Sequence, residues 1–390
     1  MLFGLSKVSR FRKYLLVLLL AGIVVAVSGC QTFSFYSQAV KGQYQLFAHQ
    51  KPTSQLRADP HTPAELKSRL ELVQELRAFA ASHLSLPVDG HYLKYVDLGR
   101  PFVVWNIEAA QAYSLQPKSW WYPLVGSLEY RGYFSKEDAK KYAERLRKKG
   151  YDVYVGGVEA YSTLGWFKDP LLNTFIFNPD ADLAETLFHE LGHQRVFARG
   201  DMDFNEAFAT TVGQEGARRW LRSKGDTNAC AAYAAHLERT RQFVQLVMKT
   251  RERLAALYGD HRDEDGKIKA SKESPALPPD ELRRQKDQIL ADLKREYAEA
   301  KTGWGGDDEY DDWFTGPINN AQLNSVAAYF DLLPAFEHLL QINGGDLEKF
   351  YGAADLLAKL PKKERERQLR ALGQSAVQQP ELVRRQNNPP

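Results

Sequence analysis

The sequence predicts an α+β protein that is mostly helical, with a small sheet before a central helix and a helical hairpin projecting from the body. Three observations predict this. Strand-like runs are confined to about residues 92–177, where Phe102, Val103, Val104 and Trp105 form one short β-favouring run and Val153, Tyr154 and Val155 another. Apolar residues recur at three- and four-residue spacing through most of the rest. A long charged stretch, about 226–300, carries two such stripes separated by a polar break at 259–279, as an antiparallel helix pair would. The chain of 390 residues suffices for one large domain or two lobes, and it contains no internal repeat.

At the start, Lys7, Arg10, Arg12 and Lys13 precede an apolar run from Tyr14 to Val27, closed by Val27-Ser28-Gly29-Cys30. The run is short for a bilayer and reads as a secretory signal. The small residues before Cys30 resemble a bacterial lipoprotein box, which implies cleavage of residues 1–29 and lipidation of Cys30. An uncleaved anchor helix is the alternative. Gln31 follows, not Asp, and by resemblance to lipoprotein sorting this favours the outer membrane, facing the periplasm. Losing residues 1–29 removes four basic residues and no acid, turning the formal charge of +3 into −1. No case for a nucleic-acid partner remains. Only Cys230 accompanies Cys30, so there is no intrachain disulfide framework, and Cys230 reads as a buried or idle thiol.

The peptide from residue 30 to about 370 reads as the folded domain. Residues 31–50 suggest a tethering helix or arm, with Tyr36, Val40, Tyr44 and Phe47 in register; residues 53–63 are turn-rich. Leu66, Leu70, Val73, Leu76 and Phe79 make the stripe of a helix over 64–83. Ser135 caps a helix over 136–149 that Gly150 ends. Residues 174–177 read as a strand running into a turn at Asn178 and Pro179. The hairpin region carries Leu237, Thr240, Phe243, Val244, Val247, Leu254 and Leu257, then Leu282, Ile289, Leu293 and Tyr297. Residues 303–312 form an acidic loop that lacks the full spacing of a calcium loop. Another helix is expected over 319–336, reaching Pro334, and a disordered Gln-, Asn- and Pro-rich tail over 371–390.

The chemistry concentrates in residues 183–194. Leu183, Leu187 and Leu191 give this segment a helical stripe, and His189 and His193 stack one turn apart on a single face. Two imidazoles so placed can hold Zn²⁺ at about 2.0–2.1 Å. Glu190 sits beside them, where it can take a proton from a metal-activated water. Two histidines and a glutamate on a solvated helix are the plain alternative, but histidines beside a buried stripe need partners. A catalytic zinc usually takes three protein ligands and keeps one open position. Glu206 is the expected third ligand: Gly200 and Asp201 break the helix, Asp203 is a plausible N-cap for the next, and Ala207 and Ala209 let the two helices approach. Asp203 and Glu215 compete with it, and an ordinary first-turn glutamate is the remaining reading of Glu206.

His189-Glu190-Leu191-Gly192-His193 followed by Asn205-Glu206-Ala207-Phe208-Ala209 resembles the glutamate-zincin metallopeptidases. More closely, the chain resembles a bacterial zinc aminopeptidase family whose members are mostly lipoproteins. The resemblance extends to Tyr130-Arg131-Gly132-Tyr133-Phe134, to residues 161–167 and to Asn319-Asn320-Ala321, covering about 30–370. It implies a zincin-like fold, zinc as cofactor and a peptide or protein substrate, with an edge strand pairing to the substrate backbone. One departure stands out: thermolysin-like enzymes carry an Asp four residues after the ligand Glu, and Thr210 stands there, so the partner of the zinc histidines is unassigned. Tyr329 is a candidate to steady the oxyanion, against the alternative of a hydrogen-bonded core tyrosine. Asn319 and Asn320 are placed near the cleft by the same resemblance. Glu129 and Glu159 are candidates for the free amino group of a substrate. Trp120, Trp121 and Tyr122, residues 130–134 and residues 161–167 either wall the cleft or form ordinary core. The expected function is a zinc aminopeptidase, with a zinc endopeptidase of envelope proteins or a non-catalytic, zinc-braced lipoprotein as alternatives.

Overall fold

In the computed structural model, residues 35–122, 126–160, 168–263, 267–271 and 277–387 are described, with side chains to residue 375. The signal segment, Cys30, Pro123 and the aromatic run 161–167 lie outside them. In chain order the elements are α1 (residues 35–48), β1 (Lys51–Pro52), α2 (Thr53–Ala58), α3 (Ala64–His83), β2 (Lys94–Val96), β3 (Val104–Gln111), β4 (Trp120–Tyr122), β5 (Gly126–Leu128) and β6 (Arg131–Tyr133). There follow α4 (Lys136–Arg147), β7 (Tyr151–Val158), β8 (Leu171–Leu172), α5 (Asp180–Arg195), α6 (Met202–Lys224) and α7 (Thr227–Tyr258). The chain continues with β9 (His261–Arg262), β10 (Ile268–Lys269), α8 (Pro279–Gly303), α9 (Asp311–Phe314), α10 (Asn320–Phe330), α11 (Leu333–Ile342), α12 (Leu347–Lys359) and α13 (Lys362–Asn387). The expected α+β, mostly helical class is what the chain forms.

The principal sheet is antiparallel, in the order β6-β3-β7. Period-two alternation divides its residues cleanly. Trp105, Ile107 and Ala109 of β3 join Tyr133 and Val153 in an apolar cluster closed by Ala139, Ala143 and Leu146 of α4. Asn106 and Glu108 therefore point to the other face, which α10 covers. A second sheet, β1-β2-β8, feeds directly into the turn before α5. Residues 174–177 do not continue it as a strand. Phe175 and Ile176 are both buried, and the Ile176 N–H donates to the Leu172 carbonyl at 3.2 Å, so the run is a turn that turns consecutive side chains inward. A short apolar run has no periodicity to separate the two outcomes.

The main core packs α3, α5, α6, α11 and α12 around Leu70, Leu76, Leu187, Phe188, Phe208, Phe336 and Phe350. Helix α6 begins at Met202 and not near Phe204, and its cap is Asp201 rather than Asp203: the Asp201 carboxylate accepts from the Phe204 N–H. The choice is tertiary. Asp201 is buried against Arg365 of α13 at 2.8 Å, with Lys362 at 3.3 Å. Breaking a buried pair leaves a charge without its partner, a cost of about 3–5 kcal/mol. Arg365→Met is therefore expected to lower the unfolding free energy by about that amount, measured by urea denaturation; a change below about 1 kcal/mol would contradict it.

Helices α7 and α8 form the expected hairpin and are antiparallel, as Arg253–Asp292 (2.7 Å) and Lys249–Glu296 (3.1 Å) show. The pair does not simply project. It shares a third apolar cluster with Leu115 and with Leu323 and Val326 of α10, which ties it to the sheet. The acidic loop is neutralised by protein cations: Asp307 and Glu309 meet Arg239 (3.3 Å each), His236 meets Glu309 at 2.9 Å, and Asp311 meets Lys301 at 2.5 Å. The helix expected over 319–336 is two helices, broken at Asp331 and Leu332, with Pro334 in the first turn of α11 where its missing N–H costs nothing. Beyond residue 371 the backbone continues α13 as helix where a disordered tail was expected; buried Leu369 and core-packed Leu372 extend its stripe. On α1 the stripe is reversed: Phe35 and Leu46 face the body, while Tyr36, Val40 and Tyr44 are exposed. Among the described residues, no helix is long and apolar enough to cross a membrane.

Candidate active site

Helices α5 and α6 approach closely because small residues line their contact. A Cβ added at Gly213 would lie 2.8 Å from the Glu185 carbonyl oxygen and 3.1 Å from His189 Cβ. One at Gly192 would meet Val212 at 3.3 Å and Ala209 Cα at 3.4 Å. Gly213→Val is expected to force the helices apart, costing about 1–3 kcal/mol by overpacking. It should also weaken metal binding, read by competition with a fluorescent zinc chelator; unchanged affinity would contradict the close approach as a requirement of the site.

Across this contact the three expected ligands converge. His189 Nε2 and His193 Nε2 are 3.1 Å apart, and Glu206 Oε2 lies 3.4 Å from the first and 3.6 Å from the second. Among the described residues this is the one group of three or more His, Cys, Asp or Glu side chains whose ligand atoms come together in this way. The separations fit a metal: a tetrahedron with bonds of about 2.0–2.1 Å has edges of about 3.3 Å. Two imidazoles and one carboxylate are also the donor set of a catalytic zinc, leaving the fourth vertex open. Asp203 and Glu215 are not part of the group. Glu215 is held by Arg219 at 2.8 Å and Arg218 at 3.3 Å, on the far side of α6.

Electrostatics in the site follow from burial. Burial alone would push the Glu206 carboxyl up, but His193 and His189 hold it well below the usual range. Glu190 goes the other way: burial raises it, the two histidines lower it in part, and Glu206 raises it again, for a net rise. His193 Nδ1 is buried without a hydrogen-bond partner among the described residues, and Thr210, also buried, supplies none. The missing aspartate thus leaves the imidazole without the usual acceptor.

Tyr329 stands at the end of α10 with 39% of its surface exposed, and its ionisation is opposed first by Glu206, then by burial, Tyr130, Glu108 and Glu190. The structure therefore brings Tyr329 to the site. Asn319 and Asn320 it does not. Asn319 caps α10 and donates to the Val153 carbonyl of β7 at 3.3 Å, and fully buried Asn320 donates to the carbonyls of Gln111, Ala112 and Ser114 and accepts from Tyr258, so the pair clamps α10 to β7 and to the end of β3. Glu129 is paired with Lys267 at 3.0 Å, and Glu159 accepts from Asn178 at 2.9 Å before α5. Of the aromatic loops, Trp120 and Tyr133 are core, Trp121 is 72% exposed, and Tyr130 lies near Tyr329. Cys230 is half-buried against the main core, as a free thiol.

Two features went unread in the sequence. Tyr92 is buried in the left-handed region (φ 59°), and its ionisation is opposed by burial, then by Glu190 and Asp169. Beside it, the Asp169 N–H donates to His91 Nδ1 at 3.2 Å, and the Gln194 amide lies 3.2 Å from the same nitrogen. This buried link fixes the segment holding Tyr92 to the end of α5. The second is Glu108.

A mostly helical α+β chain whose central helix pair gathers two histidines and a glutamate beside a half-buried acid has the layout of a hydrolase. The chain belongs to the Putative aminopeptidase family, whose model it matches over residues 34–369. No curated protein and no solved structure matches it. Membership supports a peptidase role and a peptide or protein substrate.

Proposed function

We propose that the chain is a zinc-dependent aminopeptidase with His189, His193 and Glu206 as metal ligands, in a zincin-like arrangement. One observation carries this reading: three ligand atoms on two neighbouring helices lie 3.1–3.6 Å apart, with a half-buried acid next to the first histidine. Bound zinc would supply Lewis acidity, polarising the scissile carbonyl and making a water acidic enough to attack near neutral pH. Glu190 takes the proton of the attacking water and passes it to the leaving amine. Tyr329, reaching in from α10, donates its hydroxyl to the oxygen on which negative charge develops. The core-bound parts of α5 and α6 hold these groups rigidly, so little reorganisation accompanies the reaction.

The test is cleavage of matched peptides with free and acetylated N-termini, with and without chelator. Chelator-sensitive cleavage confined to free N-termini is expected. Cleavage of both sets would make the enzyme an endopeptidase, and no chelator-sensitive cleavage would leave the non-catalytic reading.

We also propose that the mature chain begins at a lipidated Cys30 in the bacterial outer membrane, facing the periplasm. The outward stripe of Tyr36, Val40 and Tyr44, a few residues further on, supports this by offering an apolar face at the membrane surface. Cys30→Ser is expected to abolish palmitate labelling and release the protein from the membrane fraction; retained labelling would contradict it.

A further inference from the structure

We propose that Glu108 receives the free α-ammonium group of the substrate and so confines the enzyme to peptide N-termini. The inference rests on the metallopeptidase reading of the His189, His193 and Glu206 site.

Placement comes first. Alternation along β3 turns Glu108 away from the α4 cluster, onto the sheet face that α10 covers. Its cross-strand partner is Tyr154, and Asn106, two residues back on the same face, pairs with Gly132 and with Gly156. The Tyr154 ring lies over Gly156, where an added Cβ would meet it at 3.0 Å, so the missing side chain makes room for the tyrosine beside Glu108. Helix α10 packs against β3 and also against α6, and so spans the gap between Glu108 and Glu206. Tyr329 at its end feels both acids, together with Glu190. Tyr329 is thus common to Glu108 and the metal site, and the free amine is assigned to the Glu108 end of that span.

Charge is the second support. The two acids considered for this task are already satisfied, Glu129 by Lys267 and Glu159 by Asn178. Glu108 has no hydrogen bond or ion pair among the described residues. Burial, with Glu129 adding to it, pushes its carboxyl up to about 8. A carboxyl kept from its charge by burial ionises once a cation stands beside it, and a substrate ammonium supplies that cation through charge-assisted hydrogen bonds. Asp203, also half-buried, is raised to about 7 by burial, then Glu129 and Asp201, and it has Lys362 as a nearby countercharge.

The experiment is calorimetric binding of Leu-Gly-amide and N-acetyl-Leu-Gly-amide to the zinc-loaded protein, with Glu190→Gln in the background so that the probes survive. With Glu108 present, the free amine is expected to bind about 10–100-fold more tightly than the acetylated probe. Glu108→Gln is expected to reduce that ratio to about threefold or less, with little change for the acetylated probe and no loss of Tm, since the amide keeps the shape of a carboxyl that is largely neutral in the free protein. Equal weakening of both probes, a preserved ratio, or no preference at the outset would overturn the proposal. So would collapse of the ratio in Asp203→Asn but not in Glu108→Gln, which would place the amine on α6. Zinc content of the same sample separates the two levels: a protein that takes up no zinc refutes the metallopeptidase reading and this inference together, whereas a zinc-loaded protein that does not discriminate refutes Glu108 alone.

Discussion

Glu190→Gln is expected to retain zinc and to lose peptide hydrolysis, with kcat falling on the order of 10²–10⁴-fold or more. The substitution keeps the shape of the side chain, so α5 and its ligands stay in place. It removes the one function the amide cannot perform, which is to take a proton and return it. Glu190 is near enough to Tyr92 to oppose its ionisation and is close to both histidines and Glu206; of the neighbouring acids, Glu206 is committed to the histidines, Asp169 to His91 at 3.6 Å and Glu185 to Tyr233 at 2.5 Å. Burial, which raises Glu190, also favours its accepting a proton in the reaction. Metal analysis and a chelator-controlled kinetic assay on the same preparation check both halves of the expectation. Near wild-type turnover would remove Glu190 from the mechanism.

The second large effect is expected from Glu206→Ala. With the carboxylate gone, two imidazoles remain, and a divalent ion held by two neutral ligands is weakly bound. Loss of a residue that merely orients a ligand already costs about 10–100-fold in affinity, so loss of the ligand itself should exceed about 100-fold. No nearby acid replaces it, because Glu215 is turned away and bound to arginines. The stability that bound metal confers on the folded state should vanish with it. In thermal melts, added zinc is expected to raise the Tm of the wild type and leave that of Glu206→Ala unmoved. An equal zinc-dependent rise in both would return the third-ligand role to another acid.

What could be read from the sequence was whatever depends on local spacing. His189 and His193 had to share a helical face because four residues make about one turn, and Glu206 had to return to them because the link between the helices is short. Ser135 and Gly150 were legible for the same local reason, since a cap and a left-handed stop act within one turn. What depends on distant partners was not. Asp201 rather than Asp203 caps α6 because Arg365, 164 residues away, meets it. Asn319 and Asn320, placed near the cleft by resemblance, are consumed in clamping α10 to β7, to the end of β3 and to Tyr258. Glu108 reads in sequence as one more strand glutamate; its isolation from any partner appears only when β3, α6 and α10 are assembled. The outward stripe of α1 has the spacing of a core stripe, and periodicity cannot say which side of a helix the protein occupies.

The most direct test of the central claim, that α5 and α6 together hold a divalent ion with a vacant position, is zinc X-ray absorption on the purified mature protein. The expected result is one zinc per chain, with two imidazole nitrogens and carboxylate and solvent oxygens at about 2.0–2.1 Å, and with that signal lost in Glu206→Ala. A protein without zinc, or one whose zinc signal is unchanged by removing Glu206, would contradict it.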